Sequence, residues 1–201
     1  MAGEDPQAIT MKGGGYYSLA TKGAKDVIDG ATPLVLKALQ EMDLRADPTP
    51  FSMSDMGCAD AGTSISMVEA VLAEVRAASP GRHLSIIYCD QPRNDYNALF
   101  RNIHGLGVID TKLGEMERLS ILASATSFYN QILPGGSLDL GFSATAMHWL
   151  SRKPGDISDH IHSTGARGAE LAAFRDQAKK DWEGILLCRA KELKPGGRLV
   201  F

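Results

Sequence analysis

Asp55, Gly57, Asp60 and Gly62 fall within "SDMGCADAG" (54–62), and Asp90 closes the apolar run "HLSIIYCD" (83–90). An acid at the end of one apolar run, a glycine turn, a helical stretch and a second acid ending the next run form a recurring constellation. In a doubly wound sheet it presents backbone amides and carboxylates to a nucleotide-like ligand. A carboxylate at the position of Asp90 suits both ribose hydroxyls of an adenosine moiety, and the glycines let the backbone approach the ligand. A pyrophosphate would call for a richer glycine pattern and a basic residue, and Asp60 would repel it. The acids therefore favour an adenosine ligand bearing positive charge, as S-adenosylmethionine does through its sulfonium and amino groups. On this turn alone, helix and turn capping is an equally good use of Asp55 and Asp60.

The elements that must hold these residues follow from periodicity. "ATPLVLKALQEM" sets Thr32 before Pro33, a helix-opening pair, and spaces Val35, Leu36, Leu39 and Met42 on one face, predicting a helix from about Pro33 to Met42. Phe51 to Met56 is a short buried strand. The next helix aligns Ile65, Val68, Val71, Leu72 and Val75 and ends at "SPG" (79–81). Residues 83–90 form a second buried strand, and a right-handed crossover makes the two strands parallel. "RLSILAS" and "SLDLGFSA" supply two further strands. A long helix follows, with Leu171, Phe174, Ala178, Trp182, Ile185 and Leu193 as its buried side, and "KPGGRLVF" is a fifth strand. A strand ending on Phe201 leaves a sheet edge open, which points to the N-terminal part of a longer polypeptide.

With 201 residues the chain is long enough for one well-buried core and too short for two comfortable domains. Lys and Arg number 21 against 24 Asp and Glu, for a net charge of -3, and no basic face or tail is gathered that could neutralise a phosphate backbone. Nucleic acid is excluded as a partner. No apolar run approaches the ~20 residues of a membrane span, and the acidic start "MAGEDPQAIT" is no secretory signal. Cys58, Cys89 and Cys188 lie too far apart for a zinc or disulfide framework, which indicates a reduced, cytoplasmic setting with the thiols as packing residues. His160 and His162 lack a placed third ligand, so no metal is expected. Asn94 and Asp95 in "NDYN" are good helix caps.

Four segments together are more specific: "MKGGGYYSLA" (11–20), "SDMGCADAG" (54–62), "YCDQPRNDYNALF" (88–100) and "SATSFYNQILPGGSLDLGFSATAMHWLS" (124–151), with "LLCRAKELKPGGRLV" continuing to the end. In sequence and order they resemble the plant salicylate, benzoate, jasmonate and theobromine methyltransferases, the SABATH family. The resemblance implies an α/β fold, a class I methyltransferase Rossmann-like doubly wound sheet with helical additions that cover the substrate. It also implies S-adenosylmethionine as cofactor, S-adenosylhomocysteine as its product, a small organic acid as substrate and a homodimer. Residues 1–50 would close over the site, and 51–201 would form the core with a helical insertion at about 152–170. Carried over by motif, Ser18 lies near the cofactor, Asp55 and Gly57 border its methionine part, Asp90 holds the ribose, and Gln91 flanks the adenine. Ser127 and Phe128 contact the adenosine side. Trp149 falls on a tryptophan whose indole N–H bonds the substrate carboxylate, and Lys12 falls on the lysine of the family's opening motif.

Departures concentrate on the acceptor side. Leu19 stands where the family commonly has tyrosine, so that Tyr16 or Tyr17 would supply the aromatic wall. Asp26 replaces a glutamine that helps hold the carboxylate, Gly62 and Thr63 replace a proline-asparagine pair, and Thr145 replaces a tyrosine. An ionised Asp26 would repel a carboxylate, so it points away, is protonated, or the substrate differs. A carboxylate is already ionised at neutral pH and needs no general base. Trp149 as orienter, with His148 as an auxiliary donor, is then the expected catalytic pair. N- or hydroxyl-methylation, for which Asp26 would be useful, and a non-catalytic cofactor- or acid-binding member are the alternatives.

Overall fold

The central strands are buried on both faces: one carries the apolar run Ile86–Cys89, and the other sets Phe51 and Met53 between Ser52 and Ser54, with Ser54 and Asp55 buried as well. The computed structural model describes residues 14–45 and 49–201. Its strands are β1 (Phe51–Met56), β2 (Leu84–Asp90), β3 (Leu119–Ala125), β4 (Leu138–Phe142) and β5 (Leu193–Val200). They pair in the order β3-β2-β1-β4-β5, every pair parallel. The chain runs outward from β1 through β2 to β3 and then returns to the other side of β1 with β4. Strand order therefore reverses beside the carboxyl end of β1, where open α/β sheets form a ligand crevice. β1 and β2 are in register from Phe51 opposite Leu84 to Met56 opposite Cys89, so Asp90 lies one step beyond the last pair, level with Gly57.

The helices are α1 (Tyr16–Ala20), α2 (Lys22–Gln40), α3 (Ile65–Ala78), α4 (Tyr96–Ile103) and α5 (Gly168–Glu192). Phe51 and Met53 of β1, Leu84, Ile86 and Tyr88 of β2, and Leu140 and Phe142 of β4 share a core with Val35 and Leu39 of α2 and with Val68, Val71, Leu72 and Val75 of α3. The predicted stripe of α3 is wholly buried.

Three expectations change. α2 begins at Lys22, eleven residues before Pro33, which sits inside the helix. Proline removes one N–H from the ladder, and the Thr32 hydroxyl supplies a local bond by donating to the Ile28 carbonyl at 3.0 Å. The inner face of α5 is Gln177, Asp181, Ile185, Arg189 and Glu192, whereas Trp182 is exposed and Ala178 faces solvent. That face is polar because its side chains bind backbone and loop groups. Asp181 accepts from the Ser151 amide at 2.8 Å and hydroxyl at 2.7 Å, and Gln177 accepts from Arg152 Nε at 2.7 Å. The expected helical insertion at 152–170 contains only the 3-10 turn Ser163–Gly165 before α5 starts at Gly168. Pro154, Gly155 and Gly165 break helical propagation, and anchoring falls to the bonds on Asp181 and Gln177.

Candidate functional site

The turn after β1 is built from strained backbone. Gly57 has φ 82°, and Ala59 (47°) and Ala61 (61°) are non-glycine residues in the left-handed region, a conformation that persists only where neighbours impose it. Those neighbours come from the segment after β2. Asn94 Nδ2 donates to the Ala59 carbonyl at 2.7 Å and Asn102 Nδ2 to the Asp60 carbonyl at 2.9 Å, while the Tyr96 hydroxyl donates to the Asp90 carbonyl at 2.9 Å. A Cβ at Gly57 would stand 2.3 Å from the Ala146 Cβ and 3.8 Å from a Phe128 ring carbon, so the turn, the end of the β4 loop and Phe128 meet there.

Asp55, the penultimate residue of β1, is almost fully buried, and Ser64, just before α3, donates its hydroxyl to Oδ2 at 2.6 Å. Burial pushes its carboxyl up to about 7, opposed by the Ser64 bond and reinforced by the charge of Asp90. Asp90 accepts the Ala59 amide on Oδ2 at 2.8 Å and the Gln91 amide on Oδ1 at 2.7 Å. Burial raises its carboxyl as well, against the pull of those two amides. Each carboxylate oxygen has a further acceptor position beyond one amide bond. The carboxylate thus keeps the capacity to take two hydroxyl donors. Gln91 is exposed at the rim beside it.

Asp60, read from sequence as a second acid for a cation, is engaged otherwise. It accepts the Ser18 hydroxyl at 2.5 Å and the Ser18 amide at 3.1 Å. Gly62 permits this contact, since a Cβ there would lie 1.9 Å from Ser18 Oγ. Asp95 caps α4 by accepting the Ala98 amide at 3.0 Å and also takes the Gly14 amide at 2.8 Å. These two amides hold its carboxyl below the usual range. The start of the described chain is therefore tied across the turn by two carboxylates.

On the other side of the turn, α2, the β4 loop and the end of β5 enclose a cavity of about 270 Å³ lined by Val27, Ala31, Leu34, Phe142, Ala146 and Val200, with Thr145 and His148 among its polar residues. Thr145, at φ 56°, lies 3.2 Å from the Tyr17 hydroxyl through its Oγ1. Trp149 is 47% exposed, and its ring centroid is 5.2 Å from that of His148. The Tyr129 hydroxyl donates to the Trp149 carbonyl.

This layout has counterparts among known proteins. A family model described as SAM dependent carboxyl methyltransferase matches residues 6–201. The chain belongs to the SAM-dependent carboxyl methyltransferase family. Loganic acid O-methyltransferase of Catharanthus roseus is 29% identical to this chain over 217 residues, covering 97% of this chain and 56% of the relative. O-methyltransferase acrG of Aspergillus aculeatus is 31% identical over 199 residues, covering 96% and 51%. A solved structure of loganic acid methyltransferase with SAH superposes with TM-score 0.74 at 26% identity, covering 94% of this chain and 57% of that one. The chain spans about half the length of the curated relatives it matches.

In this chain, Asp55, Gly57, Asp90, Gln91 and Phe128 gather around the turn, with Ser127 adjoining Phe128 and Ser18 tied to Asp60. Thr145 and His148 line the cavity, Tyr17 reaches it through Thr145, and Trp149 adjoins His148 without being a lining residue. Asp26 is exposed on α2 and does not line the cavity, although its neighbour Val27 does. Lys12 lies outside the described residues. His160 and His162 are exposed, and His160 Nδ1 accepts the His162 amide at 3.0 Å. Among the described residues no group of three or more His, Cys, Asp or Glu is arranged for a metal. Sequence reasoning missed the bonding of Asp60 to Ser18 and the pairing of Arg189 with Glu192 at 2.7 Å, both fully buried. An arginine three residues before a glutamate at a helix end was the available signal, but such pairs are usually solvated.

Proposed function

We propose that this chain carries the cofactor site and part of the acceptor pocket of an S-adenosylmethionine-dependent methyltransferase that converts the carboxylate of a small organic acid to its methyl ester. The observation that carries the reading is the Asp90 carboxylate, oriented by two backbone amides at the strand-order reversal and level with the Gly57 turn. The residues present fit the cofactor. Asp90 would hold the ribose hydroxyls, Gln91, Ser127 and Phe128 would flank the adenosine, and Asp55, Gly57 and Ser18 would border the amino acid part. Bound S-adenosylmethionine supplies an electrophilic methyl carbon on a cationic sulfur.

The chain's own contribution is placement. An acceptor carboxylate needs no base at neutral pH. Val27, Ala31, Leu34 and Phe142 would seat the apolar body of the acid and keep water from its carboxylate. The Trp149 indole N–H, a single neutral donor, would orient one carboxylate oxygen and leave the other as nucleophile, and His148 would supply a second donor. Aligning the reactants in this way can lower the barrier by several kcal/mol.

Residues up to about 50 are assigned as the segment that closes over the site, consistent with the bonds from Ser18 to Asp60 and from Gly14 to Asp95. The whole protein is assigned to the cytoplasm as a homodimer, a setting compatible with the free thiols of Cys58, Cys89 and Cys188. Among the described residues no helix is long and apolar enough to cross a membrane. Calorimetric titration with S-adenosylhomocysteine and with NAD, followed by transfer of a radiolabelled methyl group to a panel of acids, phenols and purines, tests the reading. Binding of the first ligand alone and labelling of an acid are expected. Binding without transfer to any acceptor would leave a cofactor-binding protein and refute the enzyme.

A further inference from the structure

The segment from Ser127 to Leu133 forms no helix or strand, and the last turn of α5 holds its backbone from beneath. Arg189 is wholly buried, with Nη1 donating to the Phe128 carbonyl at 2.8 Å and Nη2 to the Asn130 carbonyl at 2.7 Å. Its Nε and Nη2 also donate to the two oxygens of Glu192, at 2.7 Å and 2.8 Å. Glu192 Oε1 in turn accepts the Ile132 amide at 2.6 Å and the Leu133 amide at 3.2 Å. One ion pair thus fixes two carbonyls and two amides of a segment with no secondary structure of its own.

Burying a charge pair gives little stability over apolar residues of equal volume, because desolvation offsets the attraction. This pair provides something apolar residues could not, a defined backbone on both sides of Tyr129. Phe128, before it, places a ring carbon at the Gly57 turn. The Tyr129 hydroxyl donates to the Trp149 carbonyl. Burial, and then the charge of Asp181, push the Tyr129 phenol up to about 12, so it remains a donor at neutral pH.

We infer that Arg189 and Glu192 are positioning residues that set the 127–133 segment so that Phe128 walls the cofactor site and Tyr129 holds Trp149, linking cofactor occupancy to the placement of the acceptor-orienting indole. The inference rests on the cofactor reading above. Arg189 Nη1 also lies 3.6 Å from the Met56 sulfur at the end of β1; neither residue is among the cavity lining, and Glu192 acts through the segment it holds.

The test measures S-adenosylhomocysteine affinity by calorimetry and amide hydrogen exchange by mass spectrometry with and without that ligand, in wild type, Arg189→Lys, Glu192→Gln and Tyr129→Phe. In wild type, the ligand is expected to slow exchange in both 127–133 and 145–151. Arg189→Lys keeps the charge but loses the planar fork, and Glu192→Gln keeps the volume but loses the charge. Both should bind at least about tenfold more weakly and, at saturating ligand, lose the slowing in 145–151, a coupling that a purely structural role would leave intact. Tyr129→Phe, which is the arm least exposed to misfolding, should keep the slowing in 127–133 and lose it in 145–151. Wild-type affinity and an unaltered exchange pattern in the folded Arg189 and Glu192 variants would overturn the inference alone, as would a retained response at 145–151 in Tyr129→Phe. No binding to wild type would overturn it together with the cofactor reading.

Discussion

Asp90 and Asp55 sit one strand apart at the same rim, and their surroundings give them different parts. Asp90 is oriented by two amides, so in the proposed site its removal would take away two charge-assisted bonds to the ribose while leaving the sheet pairing intact. Asp90→Ala is expected to weaken S-adenosylhomocysteine binding by about 100-fold or more, at about 1.5–3 kcal/mol per such bond, with the circular dichroism spectrum unchanged. Asp55 is the pH-sensitive member. Its folded value, about 7, lies above the ordinary 3.8, so across that interval the folded chain retains a proton that the unfolded chain has lost. Stability contributed by this group therefore falls as pH rises from roughly 4 to 7 and levels off above 7. A ligand whose α-ammonium lies beside Asp55 favours the ionised form, so binding releases the proton. Affinity for S-adenosylhomocysteine should rise from pH 5.5 to about 7, by at most about tenfold per unit, then flatten. Titrations in buffers across that range would show the trend, and Asp55→Asn should reduce it.

At the scale of elements, the glycine turn and the segments pressed on it set the geometry. Gly57→Ala would force a side chain into a φ of 82° and against Ala146, and should cost about 2 kcal/mol of stability in denaturant unfolding. Gly62→Ala acts differently, because its Cβ would displace the Ser18 hydroxyl. The expected result is faster proteolysis around residues 14–20, with thermal stability lowered by only about 1 kcal/mol. β2 and α3 were legible in the sequence because a continuous apolar run and a 3.6-residue stripe leave little choice of partner, and β1 because Phe51 and Met53 stand just before the glycine turn. Asp55, Gly57 and Asp90 were legible because strand ends and turns mark themselves. The inner face of α5 was not, since hydrophobic periodicity assigns Gln177, Asp181 and Arg189 to solvent and carries no record of the carbonyls and amides they meet. The length of α2 was obscured by Pro33, a residue that ordinarily opens or ends a helix. The partner of Asp60 depended on a contact 42 residues away with Ser18, beyond any local pattern.

For the whole molecule, strand order matters most. Reversal between β1 and β4 places the cofactor turn on one side and the apolar cavity on the other, with the Ala146 methyl against Gly57 as the boundary between them. The proposed cofactor and acceptor sites would share this wall and lie side by side. Trp149→Ala should accordingly leave S-adenosylhomocysteine affinity within about twofold while lowering turnover of the true acid about tenfold or more, the loss of one orienting bond. The central claim is that adenosine lies over the carboxyl ends of β1 and β2 with its sugar on Asp90. A crystal structure with S-adenosylhomocysteine bound tests it most directly. The account predicts both ribose hydroxyls within hydrogen-bonding distance of the Asp90 carboxylate and the adenine beside Phe128. A ligand seated elsewhere, or a ribose held by other groups with Asp90 untouched, would contradict it.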